Sequence, residues 1–298
     1  MLFRSAVTIK IPSVPSTLAR VIEVAQSPDD NLHELASVVL ADPLLSERVL
    51  RLANSATFCR REKAETINDA ILVLGSGYVR NLAASVSVLN VLCPDQIFPG
   101  FNWRNMWRHC VVCAVASESI YSWRTGWRRG TDESAFVAGL LHDIGKMLIS
   151  KVAPKKFKQA IELCQERRID MLEAEMLAMG TNHAIVGRQL AEKWEFPEKP
   201  IAGIGWHHDP ASVNGYADVA FSVCAGNMLA KRIEDSYIYG YHPYIRLTEI
   251  ADIAGLDISC LNMVIDETRI GILRCSEVMS WGNGLDCYPS QPGFAIHA

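Results

Sequence analysis

Six residues in the middle of the chain carry side chains that bind transition metals. The pair His142-Asp143 is flanked by apolar residues in the segment LLHDIG, where an ionised aspartate costs several kcal/mol unless it is paired or metal-bound. Imidazole and carboxylate together suit Zn, Mn and Fe ions. Each histidine taken singly is explained as well by a hydrogen bond in the core or at the surface, but their order along one stretch favours a shared divalent metal. The six residues are His109, His142, Asp143, His183, His207 and His208.

These residues fall on segments with helical periodicity. Strand-like alternation is hard to find beyond the first dozen positions, so the sequence predicts an all-α fold. His142 and Asp143 lie in the middle of one predicted helix, at 134–149. The other helices that would carry the metal-binding residues are predicted at 103–121, 182–194 and 199–207.

In the N-terminal part of the chain, single residues mark where helices begin and end. Asp42 and Pro43 supply an N-cap and a first helical position, and Thr66 and Gly75 begin and end the helix INDAILVL. The segment CPDQIFPGFN, with two prolines and a glycine, predicts a boundary between two helical lobes. We expect an N-terminal lobe at 1–97, a second lobe with the metal site at 98–235, and C-terminal helices with a loose tail at 236–298.

Composition argues against several classes of protein. Lys and Arg number 29 against 33 Asp and Glu, a net charge of -4, so no basic field exists for general nucleic-acid binding. Polar residues interrupt the longest apolar stretches and the N-terminus lacks a secretion pattern, so we expect neither a membrane span nor export. Nine cysteines without regular spacing fit free thiols in a reducing compartment. The sequence therefore predicts a cytoplasmic protein.

The chain resembles the HDOD family, which is related to the HD-GYP and other HD-domain phosphohydrolases. In the N-terminal part the resemblance lies in IPSVPSTLARVIEVAQSPDDNLHELASVVLADPLLSERVLRLANSA and in TINDAILVLGSGYVRNL. In the second part it lies in AGLLHDIGKMLI, EAEMLAMGTNHAIVGRQLAEKWEFP and the closing HHDP. Coverage runs from about Ile11 to Arg232. The resemblance implies an HD-domain-like helical bundle as the second lobe, a bacterial signal-transduction role and other signalling proteins as partners.

The six metal-binding residues resemble the ligand series of the HD phosphohydrolases, with one departure from the HDOD pattern and one from the HD pattern. HDOD proteins are generally regarded as having lost the His-Asp pair and hydrolase activity, whereas this sequence keeps the pair and also Lys146, which active relatives use to bind phosphate. The closing aspartate of the HD pattern is missing, because Gly226 and Asn227 stand where it should fall. A single carboxylate neutralises one of the four charges of a divalent pair, so we expect one ion or an anion-bridged pair. We expect Fe or Mn, with Zn as the alternative.

Two functions from different classes fit these features. The first is a regulatory module that binds signalling proteins or a phosphate-containing small molecule, and the family resemblance favours it. The second is a metal-dependent phosphohydrolase acting on a nucleotide or cyclic dinucleotide, which the retained Lys146 favours. In that case Asp143 would hold the ion and the attacking water, and Lys146 would stabilise the phosphate oxygens. The missing closing aspartate favours the non-catalytic module.

Two further groups have simpler interpretations. Cys110 and Cys113 form a CxxC, but it lies in a predicted helix with no second pair nearby, so we expect buried thiols rather than a zinc site. Glu173 and Glu175 are interpreted as surface carboxylates of a short helix, without acid–base work.

Overall fold

The computed structural model is helical throughout, as the sequence predicts. It describes residues 11–14, 16–26, 32–54, 63–92, 101–126, 132–233 and 244–274, and within these ranges it contains no β-strand. The helices are α1 (Ser16–Gln26), α2 (Leu32–Leu40), α3 (Pro43–Ala53), α4 (Ile67–Leu74), α5 (Ser76–Leu92), α6 (Trp103–Thr125), α7 (Ser134–Leu141), α8 (Ile144–Val152), α9 (Pro154–Arg167), α10 (Met171–Met179), α11 (His183–Lys193), α12 (Glu198–Trp206), α13 (Ala217–Ile233), α14 (Leu247–Ala254) and α15 (Ile258–Arg274).

Local capping groups set both ends of α4, one of the five N-terminal helices, α1 to α5. Thr66 Oγ1 accepts a hydrogen bond from the backbone N–H of Asp69, and the Asp69 carboxylate accepts one from the N–H of Thr66, so a capping box begins α4. Gly75 ends α4 with a φ of 90°, a conformation that favours glycine. Three apolar residues of α3 are fully buried: Leu45, Val49 and Leu52.

Helix α6 is the centre of the second half of the chain. Helices α7, α13 and α15 all pack against it. The contact with α13 is close because Gly226 has no side chain: a Cβ there would lie 2.3 Å from Ser117 Oγ. Gly139 allows a similar approach of α7, since its Cβ would lie 2.8 Å from the Cα of Ala114. These approaches bring side chains of α6, α7 and α13 into one buried region.

The prediction of one helix over 134–149 is wrong, because the chain forms two helices there. The break falls at His142 and Asp143, between α7 and α8. Just after the break Gly145 lies against α11, where a Cβ would be only 2.0 Å from the carbonyl oxygen of His183. After the break α8 packs on α11, and this tertiary contact overrides the continuous helical pattern.

The C-terminal helices α14 and α15 pack on α13 and α6, respectively. Arg124 of α6 connects the elements, because its guanidinium donates to the Asp218 carboxylate at 2.7 Å and to the Ala254 carbonyl at 2.9 Å. Helix α15 starts at Ile258 and is described as far as Arg274. The residues after 274, where the predicted loose tail falls, lie outside the described residues.

One apolar core runs from the N-terminal helices into the helices that carry the histidines. Leu18 of α1, Ile144 of α8 and Leu190 of α11 all belong to it. The predicted boundary near residue 97 falls outside the described residues, so the division into lobes stays a prediction. Among the described helices, none is by itself both long and apolar enough to cross a membrane; α4 with the first part of α5 meets these criteria only as a pair, bent by 115°.

Candidate metal centre

Four parts of the fold bring the predicted metal ligands together. Neighbouring imidazole rings lie 4.2 to 5.5 Å apart, measured between centroids. All six residues are buried except His208, which is exposed at the edge of the cluster. Helix α6 supplies His109, the turn between α7 and α8 supplies His142 and Asp143, α11 supplies His183, and the turn after α12 supplies His207 and His208.

Hydrogen bonds to backbone carbonyls orient two of the rings. Nδ1 of His142 lies 2.7 Å from the carbonyl oxygen of Gly139, and Nδ1 of His207 lies 2.8 Å from that of Ile204. A carbonyl only accepts, so each Nδ1 carries a proton and, in the neutral ring, Nε2 carries a lone pair. Within the described residues both Nε2 atoms are buried without a hydrogen bond. A lone pair in this setting is what a metal ligand requires.

Asp143 lies between two groups of these nitrogens. Its Oδ1 is 3.3 Å from Nε2 of His183 and 4.0 Å from Nε2 of His207. Its Oδ2 is 3.3 Å from Nε2 of His142 and 2.7 Å from Nζ of Lys146. The two oxygens of one carboxylate therefore face different partners, and Lys146 is the charge partner of only one of them.

The donor atoms form two sets that each fit a metal ion. Within each set the donor atoms lie within 4.8 Å of one another. In one of them the Nε2 atoms of His183 and His208 are only 3.0 Å apart, and two lone pairs at this distance repel unless a proton or cation lies between them. The residues present therefore suit a transition metal. The first set consists of His109, His142 and Asp143, and the second set of His183, His207 and His208.

Glu175 is a part of the site that the sequence interpretation missed. It is fully buried on α10, so its interpretation as a surface carboxylate is wrong, whereas Glu173 is exposed as predicted. Its Oε2 accepts hydrogen bonds from the backbone N–H of His183 at 2.8 Å and from Nδ1 of that ring at 2.7 Å. These bonds fix the ring and leave Nε2 facing the cluster. The signal that would have found it is the buried stripe of α10, which Glu175 shares with Met171, Ala174, Ala178 and Met179.

Helix α13 contributes two further residues to the site. Asn227, one of the two residues at which the resemblance to HD proteins leads us to expect the closing aspartate, has its Oδ1 3.1 Å from Nε2 of His109. Lys231 follows one helical turn later on the same face and is half-buried. On α6, Cys110 and Cys113 are buried free thiols, as predicted.

Burial keeps three of the imidazoles neutral. It lowers the pKa of His109, His183 and His207 well below the ordinary value, so that at neutral pH these rings offer lone pairs. His142 differs, because burial opposes its charge but the adjacent Asp143 carboxylate outweighs this and raises its pKa to about 10. In the absence of a metal, His142 is therefore the ring that carries a proton on both nitrogens.

The ionised groups around these rings supply little negative charge. Burial opposes the charge of Asp143, but His142 and Lys146 outweigh it and hold its pKa well below the usual range. Burial raises the pKa of Glu175 to about 8. Burial, with the positive charge of Lys146, lowers the pKa of Lys231 to about 8. One firmly ionised carboxylate thus faces two lysines and five imidazoles.

Solved structures of other proteins share this fold. An HDOD domain protein with unknown function from Geobacter sulfurreducens has a TM-score of 0.70 at 25% identity, over 94% of each chain. A candidate signal transduction protein from Marinobacter aquaeolei VT8 has a TM-score of 0.74 at 24% identity, over 94% of this chain and 62% of that one. A candidate phosphohydrolase from Shewanella amazonensis SB2B has a TM-score of 0.70 at 24% identity, over 90% of this chain and 95% of that one. The last two similarities concern the fold alone.

Sequence comparison gives the family. An uncharacterized protein of Treponema pallidum (strain Nichols) is 25% identical over 239 residues, which span 78% of this chain but 44% of that relative. The chain therefore corresponds to less than half the length of this relative. The family model described as the HDOD domain matches residues 11–210. Because this match extends over most of the chain and ends just after His208, the protein belongs to the HDOD family.

Proposed function

We propose that the protein is a signalling module that binds a divalent transition metal and acts through binding, to a partner protein or to a phosphate-containing small molecule. The observation that supports this most directly is the surroundings of Asp143, where buried imidazole nitrogens approach both oxygens of one carboxylate. Fe or Mn is the expected metal, with Zn as the alternative, because mixed imidazole and carboxylate ligands suit these ions.

Residues behind the ligands would hold the site in a binding geometry. Glu175 fixes the ring of His183, and the carbonyl oxygens of Gly139 and Ile204 orient two more rings. Such supporting hydrogen bonds orient ligands and raise their basicity. A divalent ion bound here would supply positive charge that attracts an anionic group. The low negative charge of the site favours the same result, since an added anion balances the ion.

Two features favour binding over turnover. Gly226 and Asn227 stand where the HD pattern leads us to expect a carboxylate, and the amide of Asn227 beside His109 adds no charge to hold a reactive metal centre. Lys146 directs its ammonium to Asp143 at 2.7 Å, whereas a hydrolase needs that charge on the phosphate oxygens. Both features weaken the two functions that catalysis requires, namely tight metal retention and stabilisation of the transferred phosphoryl group.

A metal-dependent phosphohydrolase is the second candidate. Lys146 is close enough to Asp143 to meet an anion bound beside it. Two structures from Shewanella amazonensis SB2B, 24% and 19% identical to this chain, are described as candidate phosphohydrolases, the second of them as metal-dependent. In this case Asp143 would hold the ion and position water, and Lys146 would stabilise the phosphate oxygens of a nucleotide or cyclic dinucleotide.

Elemental analysis followed by activity assays separates the two. We expect the purified full chain to carry Fe, Mn or Zn, to lose it on chelation, and to show no turnover in a panel of phosphodiesters and phosphomonoesters with added Mn or Fe. Turnover that disappears in His142→Ala and Lys146→Met would instead establish the hydrolase. The exposed residue His33 gives the matched control, because His33→Ala should keep the metal. A chain that binds no metal under any loading condition contradicts both functions.

A further inference from the structure

The two metal-binding sets of the candidate centre differ in how available their donor atoms are to a metal ion. In the second set, Nε2 of His183 lies 3.0 Å from Nε2 of His208 and 3.3 Å from Oδ1 of Asp143. Ligands at right angles around an ion with bonds of about 2.1 Å are separated by about 3.0 Å, so these three atoms have the spacing of neighbouring ligands. His207, whose buried Nε2 makes no hydrogen bond within the described residues, is the third imidazole of the set.

In the first set, two of the three ligand residues, His109 and Asp143, already have protein partners. Nε2 of His109 meets Oδ1 of Asn227 at 3.1 Å, a hydrogen bond in which the ring donates. Asn227 is buried, and its amide is neutral. On the other side, Oδ2 of Asp143 is occupied by the ammonium of Lys146 at 2.7 Å. A cation therefore already lies on the carboxylate oxygen that a metal in this set would need.

A positive charge on α13 also disfavours a metal ion in the first set. Lys231 lies one turn after Asn227 on the same helical face, so the side of the site that lacks a carboxylate also carries a lysine. Two divalent ions would add four positive charges to a region that contains Lys146, Lys231 and one firmly ionised carboxylate, Asp143. One ion can be balanced there by Asp143 and an added anion, whereas a second ion adds two more charges without a further carboxylate in the first set.

We propose that the protein binds a single divalent ion in the second set, with His183, His207, His208 and Oδ1 of Asp143 as ligands. The Lys146 ammonium takes the place of a second cation, and Asn227 closes the first set to metal. This inference rests on the proposed metal-binding function and specifies which half of the site performs it. Asn227 is thereby a specificity-determining residue for metal number, although it does not contact the bound ion.

Metal stoichiometry of the full chain tests this directly. The wild type, stripped with chelator and loaded with Mn²⁺, should hold roughly one ion per chain, and its electron paramagnetic resonance spectrum should be that of an isolated ion rather than a coupled pair. Asn227→Asp adds a carboxylate to the first set, so its metal content should about double and the spectrum of a coupled pair should appear. The matched control is Asn227→Leu, which removes the hydrogen bond to His109 without adding charge and should stay at one ion.

Ligand variants locate the ion. His208→Gln should lose it, while His109→Gln should retain it, with circular dichroism used to confirm that each variant is folded. Two ions in the wild type, or loss of the ion in folded His109→Gln, would overturn the single-site inference and leave the metal-binding function standing. No ion in the wild type would overturn both. Because the wild-type spectrum requires no substitution, a variant that fails to fold does not remove the test.

Discussion

The N-terminal helices, α1 to α5, and the helices around the candidate metal centre, α6 to α13, bury very different side chains. In α1 to α5 the core consists of apolar residues such as Leu18, Leu35 and Leu45, and the buried polar residues among those described there are Arg48 and Ser87. Helices α6 to α13 also have a buried apolar core, but they enclose a group of ionisable side chains: His109, His142, Asp143, Lys146, Glu175, His183 and His207.

The two regions therefore differ in what burial does to their stability. Burial of apolar area stabilises the N-terminal helices directly. In the metal-site helices each buried charge costs free energy unless a partner compensates for it, as Lys146 and Asp143 do for each other. Helical packing alone therefore accounts for the first region, whereas the second keeps groups that destabilise it unless they are paired or bound. Function is expected where the fold tolerates that cost.

The largest effect is expected from removing the carboxylate of Asp143. Asp143→Asn leaves Lys146 buried without its charge partner, and breaking one partner of a buried pair destabilises a protein by about 3–5 kcal/mol. The variant should also lose the bound metal. Urea denaturation of the metal-free protein measures the first effect, and elemental analysis measures the second.

A double variant shows whether charge is the cause. Asp143→Asn combined with Lys146→Met removes both charges, so it should recover most of the lost stability and still bind no metal. A single Asp143→Asn variant as stable as the wild type would mean that Lys146 is compensated by another group, and that the contrast between the two regions is smaller than the structure indicates.

In the N-terminal helices the corresponding change acts on packing alone. Leu45→Ala empties space in a fully buried position and should lower the free energy of unfolding by about 3 kcal/mol. The metal content of the folded fraction should not change, because Leu45 is on α3 and contributes nothing to the site. Leu40→Ala, at an exposed position, is the control and should have little effect. Loss of metal in folded Leu45→Ala would show that the two regions are coupled.

The same contrast explains which features could be predicted from sequence. Thr66 and Gly75 act on their own helix, so the start and end of α4 can be inferred from a few neighbouring residues. The break at His142 cannot, because it depends on the close approach of Gly145 to His183, which only the tertiary fold creates. Helix caps can therefore be predicted from short stretches of sequence, whereas a helix break that depends on a tertiary contact cannot.

The residues of the candidate site can be found from their types, but the contacts between them cannot be predicted from the sequence. The imidazoles and Asp143 stand out because such groups are rarely buried without a reason. The sequence predicts Glu175 at the surface, because a glutamate on a short helix is usually exposed. In the structure it shares the buried stripe of α10. The hydrogen bond from His109 to Asn227 depends on the close contact of α6 with α13 at Gly226, which no spacing in the sequence reveals.

A smaller effect is expected from the carboxylate behind His183. Glu175→Gln keeps the shape of the side chain but weakens the hydrogen bond to Nδ1, and loss of such a supporting partner reduces metal affinity by about 10-fold to 100-fold. Competition with a chelator of known affinity measures the change. Glu173→Gln, two residues away on the exposed face of α10, should leave the affinity unaltered. Equal affinities in the two variants would remove Glu175 from the site.

The smallest effect is the acid sensitivity of the metal-free protein. Burial lowers the pKa of His109, His183 and His207 in the folded protein. Below their unfolded pKa of about 6.5 the unfolded chain therefore binds more protons than the folded one, and the free energy of unfolding decreases as the pH is lowered. Glu175, with its pKa raised to about 8, acts in the opposite direction, because its protonation favours the folded state as pH falls. The raised pKa of His142 adds a small effect of the same sign as that of Glu175. The three buried imidazoles against these two groups leave a net loss of about 1 kcal/mol between pH 6.5 and 5.5, and the lowered pKa of the exposed His208 acts in the same direction as theirs.

Glu175→Gln sharpens this measurement, because it removes the larger of the opposing groups while the three neutral imidazoles remain. Urea denaturation at the two pH values should therefore show a larger acid loss in Glu175→Gln than in the wild type, by about 1 kcal/mol. A wild type that gains stability on acidification would mean that the imidazoles already carry protons at pH 6.5. The lone pairs assigned to the metal-site helices would then be absent, and the two regions would differ in residue type without differing in charge.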